Sequence, residues 1–439
     1  MATGQLRIAM LAVHSNPVGE LGTQDTGGMS VYVRELAREL GRLGHQVDIF
    51  TRRHDSREKA TIDLFAHVRL IHLQAGSNGD VHKLALYPHL DEFCNELERF
   101  RLREGIHYDL IHSHYWLSGL VGNWARDRWG VPHLILFHTL GALKNRTVEP
   151  EQEPELRISA EKQLVECCDR ILASTKREKN DLVHFYGADP EDIAVVPCGV
   201  NLDLFRPLDK SKAREQLGLD PQGPLVLFVG RFAPLKGIER LLASMTCLRH
   251  HRRLRLVIVG GNGHDRPESV NLVRLSEELG IRDSVVFQGR IEHAKLPPFY
   301  SAADVLVVPS YYESFGLVAL ESLACGTPVV ATRVGAMPDI LRDGETGCVV
   351  PDGSPRSLAQ GIDSVLNGCR ARSADAIRAS VLKYGWAHVA SAIVDEYRDV
   401  LRRACAPTGS FSSTKEDVET SHAAYASGTR KDGSRLSTG

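Results

Sequence analysis

Short apolar, β-branched runs alternate with helix-patterned segments, and they do so twice along the chain; no other feature limits the possible folds as strongly. In the first half the runs are LRIAMLAV, QVDIFTR, VRLIHL, YDLIHSH, HLILFHT and RILAST, with a helical pattern from Met29 to Leu43 between the first two. The pattern restarts with PLVLFVGR and continues through LRLVIVGG, SVVFQGR, DVLVVPS and PVVATR. Runs of this kind separated by helices specify parallel sheets covered on both faces. Each half therefore predicts its own doubly wound α/β domain, and a length of 439 residues suits two cores better than one. The stretch VVPCGVNLDLFRPLDKSKAREQLGLDPQGP, rich in Pro, Gly and charge, marks the join. The expected units are residues 1–205, a linker at 206–222, and residues 223–385. A final amphipathic helix is expected over 386–404. From 405 to 439 Ser, Thr, Gly and scattered charge predict disorder, because too little apolar surface is available to offset the entropy of ordering.

Bulk properties remove several function classes. A formal net charge of -2 offers no basic excess for nucleic acid, and no run approaches the roughly 20 apolar residues of a membrane span. MATGQLRIAMLAVHS leads straight into a Gly-rich turn without a cleavage site, so it is read as a first strand and not a secretory leader. Nine cysteines without a Cys-x-x-Cys spacing are expected as reduced thiols in a cytoplasmic protein.

Doubly wound sheets bind ligands beyond the carboxyl ends of their strands, and the informative residues fall there. GRFAPLKG sets Arg231 and Lys236 around Pro234 at a strand-to-helix turn, where two cations and free backbone N–H groups suit a diphosphate. The ordinary alternative is solvated surface charge. VGGNG, with Gly260 and Gly261, permits close backbone approach by a ligand or simply a turn. In DTGGMSVYV, Gly27 and Gly28 can offer N–H groups to phosphate, but the stretch lacks the Gly-x-Gly-x-x-Gly fingerprint of nicotinamide enzymes. His14, His112 and His138 sit at or near strand ends. His138 stands out because FHTLGALKNR breaks into small and polar residues as a cleft would. With no Asp-x-Asp and no His pair at helical metal spacing, no metal is expected, and Arg231 with Lys236 must neutralise the phosphates. YESFGLVALESLACGTPVV puts Glu313 and Glu321 eight residues apart. On one helix they would lie about 12 Å apart and face one way. Singly they read as a first-turn carboxylate and a half-exposed helix residue; together they suit a long ligand held by hydroxyls at both ends.

A strand-end Arg and Lys followed by ESFGLVALE and CGTPVVAT resembles the retaining glycosyltransferases of family 4, over about residues 5 to 404. The resemblance implies two Rossmann-like domains facing a central cleft, the GT-B type, with the last helix crossing back to the first domain. It implies that Glu313 reads the transferred sugar and Glu321 the ribose of a UDP-sugar, beside Phe315, Gly316 and Leu317. His138, Arg231, Lys236 and Glu313 are the implied catalytic group, acting by front-face substitution with retention and without a cofactor. Within the family, TQDTGGMSVYV, HSHYWLSG and FHTLGALKN resemble the inositol-phosphate N-acetylglucosaminyltransferases of mycothiol synthesis. That likeness implies a phosphorylated acceptor held by Lys83, Tyr115, Thr139 and Arg157, with His14, Asp25 and Ser30 alongside, and a possible homodimer. Ser30 departs from that group, which has Asn there. Bacterial sucrose-phosphate synthases share the Gly-Gly turn and the His-Thr-Leu-Gly-Ala stretch, so fructose 6-phosphate stays open as an acceptor. A sugar-nucleotide epimerase would need a cluster of acid/base carboxylates around the sugar. A silent sugar-nucleotide binding protein would not need the cations, the glutamates and an anion pocket together.

Overall fold

The computed structural model describes residues 4–19, 26–79, 81–147, 152–261, 263, 266–368 and 373–405. Asp25 and the expected tail beyond Cys405 lie outside the described residues.

The first half forms an eight-stranded sheet from β1 (Arg7–Leu11), β2 (Gln46–Arg52), β3 (Thr61–Phe65), β4 (Val68–Leu73), β5 (Leu110–His114), β6 (His133–Leu136), β7 (Arg170–Ala173) and β8 (Ile193–Val195), in the order β3-β4-β2-β1-β5-β6-β7-β8. Only the edge strand β3 runs antiparallel, against β4; the other pairs are parallel. The second half forms a wholly parallel six-stranded sheet from β9 (Leu225–Val229), β10 (Arg255–Val259), β11 (Val285–Gly289), β12 (Val305–Val308), β13 (Val329–Ala331) and β14 (Gly347–Val349), in the order β11-β10-β9-β12-β13-β14. In each sheet the strand order reverses beside the first strand, which opens a crevice at the carboxyl ends of β1 and β9. These are two Rossmann-like domains.

Both faces of the sheets are buried, as the apolar runs require. In β1, Ile8 and Met10 belong to one core with Val33, Leu36 and Leu40 of the Gly28–Arg42 helix, while Ala9 and Leu11 belong to the opposite core with Phe93 and Trp116. Burying each such Leu or Ile stabilises the fold by roughly 1.5–3 kcal/mol. That helix approaches the β3–β4 connection so closely at Gly41 that a Cβ there would overlap the Ala66 carbonyl.

The terminal helix, Trp386–Cys405, buries Trp386, Val389, Ala390, Ile393, Val394, Tyr397 and Val400, one stripe at helical spacing. The stripe packs on the first domain. Trp386 lies 5.1 Å from the Tyr32 ring, the Tyr397 hydroxyl is 2.7 Å from His112 Nδ1, and Arg170 pairs with Asp399 at 2.5 Å. This is the expected crossing back.

The stretch read as a linker contains a helix, Lys210–Gln216, capped by Asp209, whose Oδ1 accepts the Lys212 N–H at 2.8 Å. Arg214 within it is buried, donating to the Ala302 carbonyl at 2.9 Å and to Asp304 at 2.8 Å. One buried Arg thus fastens a charged, Pro-flanked segment to the second sheet. Among the described residues no helix is long and apolar enough to cross a membrane.

Candidate active site

At the end of β9, Arg231 is exposed, and the 3-10 turn Pro234–Lys236 ends at Gly237 with φ 64°. Lys236 Nζ meets Glu313 Oε1 at 2.5 Å, and Ser310 Oγ donates to the same oxygen at 2.9 Å. Glu313 lies in the loop after β12 and not on a helix: the Leu317–Ala324 helix begins only after Gly316, whose φ of 101° ends the loop in a left-handed conformation. A Cβ at Gly316 would also overlap the Met337 side chain. The two glutamates therefore do not share a helix face, which corrects the reading from their spacing. Glu321 is buried, accepting from His293 Nε2 at 2.7 Å and from the Tyr300 hydroxyl at 2.6 Å. Burial pulls the His293 pKa down, but Glu321 outweighs it and the net shift is upward.

Gly260 and Gly261 have φ of 140° and 85°. A Cβ on the first would overlap the Gly230 carbonyl, and one on the second would stand 2.7 Å from the Phe232 ring. Packing of the β9 and β10 end loops explains both glycines. Phe315 is buried in the core cluster that also holds Ile8 and Met10, and Leu317 packs partly buried against it.

From the first domain, Gly27 and Gly28 open the long helix, whose first-turn N–H groups have no intrahelical partner. A Cβ on Gly27 would lie 3.8 Å from Arg231 Nε, and one on Gly28 would lie 3.5 Å from Leu317 Cδ1. The glycine turn thus faces the second domain's cation across the cleft. Leu140 N–H also reaches the Tyr312 hydroxyl, at 3.4 Å. Ser30 is fully buried, its hydroxyl 2.6 Å from that of Ser15.

Among the described residues three non-glycines have positive φ, and two of them, Tyr115 at 76° and His138 at 61°, belong to this region. Such strain persists only where surrounding contacts impose it, and it clusters at functional sites. His138 Nε2 lies 3.0 Å from His114 Nδ1, and its ring meets Tyr32 edge-on at 5.2 Å. Burial, with a smaller contribution from His112, pushes the His138 pKa down to about 3, so the ring is neutral at ordinary pH. His112 lies within β5 and turns to Tyr397, away from any strand-end role.

Next to His138 the chain gathers charge. Arg157 is fully buried. Its Nη2 donates to the Thr139 carbonyl at 2.6 Å and hydroxyl at 2.9 Å, and its Nε to Glu161 at 2.7 Å. Tyr115 lies beneath it, with the guanidinium carbon 4.8 Å from the ring centre, Lys83 Nζ at 5.9 Å and the His14 ring at 4.5 Å. The buried Tyr115 hydroxyl lies near Trp116 but makes no hydrogen bond among the described residues. His14 is driven to a pKa of about 3 by burial first, then by Lys83, His138 and Arg157, an electrostatic sign that these groups face one space. Lys83, Tyr115, Thr139 and Arg157 are therefore together.

Sequence reasoning missed Glu153, Glu161, Lys144, Ser310 and His114. The first two had a signal: Glu153, Arg157 and Glu161 follow one another at four-residue spacing, Glu153 just before the Glu155–Cys167 helix that carries the other two. It also missed His250, His251 and Asp363, whose ligand atoms lie within 4.8 Å of one another. His250 and His251 follow the Ile238–Met245 helix, and Asp363 lies on the Pro355–Leu366 helix. Both imidazole Nε2 atoms bond Asp363 Oδ1, at 3.1 and 2.7 Å, which accounts for the cluster.

Two Rossmann-like domains that set a glycine turn against Arg231, in a cleft that also carries a Lys–Glu pair, define a glycosyltransferase of the GT-B class. Residues 26–204 match the family model described as Glycosyltransferase Family 4, and residues 209–379 match Glycosyl transferases group 1. The chain is 43% identical over 403 residues to D-inositol 3-phosphate glycosyltransferase 2 of Catenulispora acidiphila, covering 89% of this chain and 94% of that one. To the D-inositol 3-phosphate glycosyltransferase of Xylanimonas cellulosilytica it is 41% identical over 409 residues, covering 90% and 97%. The chain belongs to glycosyltransferase family 4. Sucrose-phosphate synthase from Thermosynechococcus elongatus superimposes with a TM-score of 0.84 at 35% identity, over 91% of this chain and 100% of that one. The Anabaena protein HepE shares the fold, with a TM-score of 0.71 at 18% identity over 90% of this chain and 100% of that one.

Proposed function

We propose that this chain is a retaining, metal-independent, cytoplasmic glycosyltransferase that moves a hexose or N-acetylhexosamine from a UDP-sugar to a phosphorylated polyol such as an inositol phosphate. One observation carries the acceptor class: Lys83, Tyr115, Thr139 and Arg157, from four separate segments, converge on one buried space beside His138. Two cations and two hydroxyls, one of them without a hydrogen bond, suit the oxygens of a phosphate. The curated relatives at 41–43% identity are named for D-inositol 3-phosphate, which supports the same class.

Cleaving a glycosyl–phosphate bond develops negative charge on the leaving diphosphate and positive charge on the sugar. Arg231, Lys236 and the first-turn N–H groups at Gly27 and Gly28 stabilise the former from both sides of the cleft. They take the place a divalent ion would fill. Glu313, held by Lys236 and Ser310, binds sugar hydroxyls, and Glu321 the ribose. The acceptor hydroxyl attacks from the face the diphosphate leaves, and the departing phosphate takes its proton. Neutral His138 lines the sugar pocket as a hydrogen-bonding group.

The second reading, a sucrose-phosphate synthase, is favoured by the superposition at 35% identity. UDP release measured over a matrix of UDP-glucose and UDP-N-acetylglucosamine against inositol phosphate, fructose 6-phosphate and their unphosphorylated forms decides between them. Turnover confined to phosphorylated acceptors is expected; preference for the unphosphorylated forms overturns the anion pocket.

A further inference from the structure

Glu153 sits in the anion pocket yet has no part in the mechanism above. Its side chain is almost wholly buried, and its carboxylate engages three cations: Arg157 Nη1 at 2.9 Å, Lys83 Nζ at 3.8 Å, and Lys144 Nζ in direct contact. Burial alone would raise the Glu153 pKa, but Arg157, Lys83 and Lys144 hold it down at about 2. The residue's backbone is pinned, donating to Asn145 Oδ1 at 2.6 Å and accepting from Asn145 Nδ2 at 2.9 Å. Any exchange at this seat therefore has to move the side chain and not the backbone.

The other carboxylate on Arg157 differs. Glu161 is fully buried, and its second oxygen accepts the Gly141 N–H at 2.9 Å and the Tyr186 hydroxyl at 2.5 Å. It is a fixed counter-ion. Among the described residues Arg157, Lys83 and Lys144 all face Glu153, so a dianion seated on these cations competes directly with the Glu153 carboxylate.

We propose that Glu153 is a specificity-determining residue whose carboxylate holds the anion seat in the acceptor-free enzyme and is displaced from Arg157, Lys83 and Lys144 by the acceptor's phosphate. The inference rests on the phosphorylated-acceptor reading above. A phosphomonoester brings a charge of about -1.5 to -2 and three strong acceptor oxygens, against one charge and two oxygens for the carboxylate. It therefore satisfies three cations better than Glu153 does. An uncharged polyol gains no such contacts and leaves Glu153 in place, so the exchange itself discriminates between phosphorylated and unphosphorylated acceptors.

Titrating the full chain with inorganic phosphate, calorimetrically and in the absence of acceptor, tests this. Glu153→Gln removes the competing charge, so phosphate should bind about tenfold tighter or better than to the native chain, with a lower KM for the phosphorylated acceptor. If Glu153 merely braces Arg157 and Lys83, the sign reverses and both constants worsen. Glu153→Asp keeps the charge and shortens its reach; it should fall between the native chain and the Gln variant, and it serves if the Gln variant fails to fold. Phosphate binding to the native chain with equal or weaker binding to the variants leaves the anion pocket standing and overturns the displacement. No phosphate binding to any form, with turnover indifferent to Lys83→Ala, overturns the pocket and the displacement together.

Discussion

Lys236 and Glu313 show how little at the donor site depends on stability and how much on placement. The ammonium is a quarter exposed, at 24%, and lies 2.5 Å from the carboxylate, so its removal costs the fold little. What it removes, in the mechanism proposed above, is one cation facing the leaving diphosphate. Lys236→Ala should lower kcat about a hundredfold with an almost unchanged melting temperature, and near-native turnover would refute the assignment. Glu321 is the opposite case, because its carboxylate already holds His293 and Tyr300. Glu321→Gln should weaken UDP binding and also lower the melting temperature, whereas Glu313→Gln should spare UDP binding and reduce turnover. UDP titrations that rank the two variants the other way would reverse the donor's orientation in the cleft.

At the scale of elements, the terminal helix ties the second half of the chain to the first, and its anchors are few. Tyr397→Phe deletes one hydrogen bond to buried His112 and should cost about 1 kcal/mol, while Trp386→Ala should cost about 3–5 kcal/mol by leaving a cavity beside Tyr32 and Gly199. Urea unfolding of both variants measures this; equal effects would mean that the helix end at Trp386 is not the main anchor. The helix was legible because its apolar stripe, from Trp386 to Val400, repeats over about four turns. The long parallel strands were legible for the same reason, since burial on both faces leaves an unbroken apolar run. β3 was missed because it is a short edge strand with only one face against the sheet, and β14 because three residues carry no period. The two glutamates misled through distance in sequence: spacing counts residues, but a single left-handed glycine at 316 decides where the helix starts. Lys236–Glu313, 77 residues apart, and Leu140–Tyr312, 172 apart, belong to the fold and leave no trace in local pattern.

For the whole molecule the decisive titration is that of histidines locked away neutral. His112, His114 and His133 are fully buried, and burial drives the pKa of His112 and His133 down to about 3 and that of His114 well below its ordinary value. Above pH 6.5 these rings are neutral in both folded and unfolded chains and do not affect stability. As the pH falls below 6.5 the unfolded chain takes up protons that the folded chain refuses, so each ring removes about 1.4 kcal/mol per pH unit. His293, with its raised pKa, works the other way, its contribution present below 6.5 and lost as the pH rises through the folded value. One such pair does not offset the depressed imidazoles, which include His14 and His138 as well. Because His112 holds Tyr397, the unfolding that lets His112 take up its proton also breaks the contact of the helix that joins the domains, so loss of the first core and of the crossing contact should coincide. The melting temperature should therefore fall steeply between pH 6.5 and 5 in a single transition. His133→Asn, which removes one of the depressed rings, should give a shallower slope. A flat profile over that range would mean that these rings take up protons without unfolding the chain.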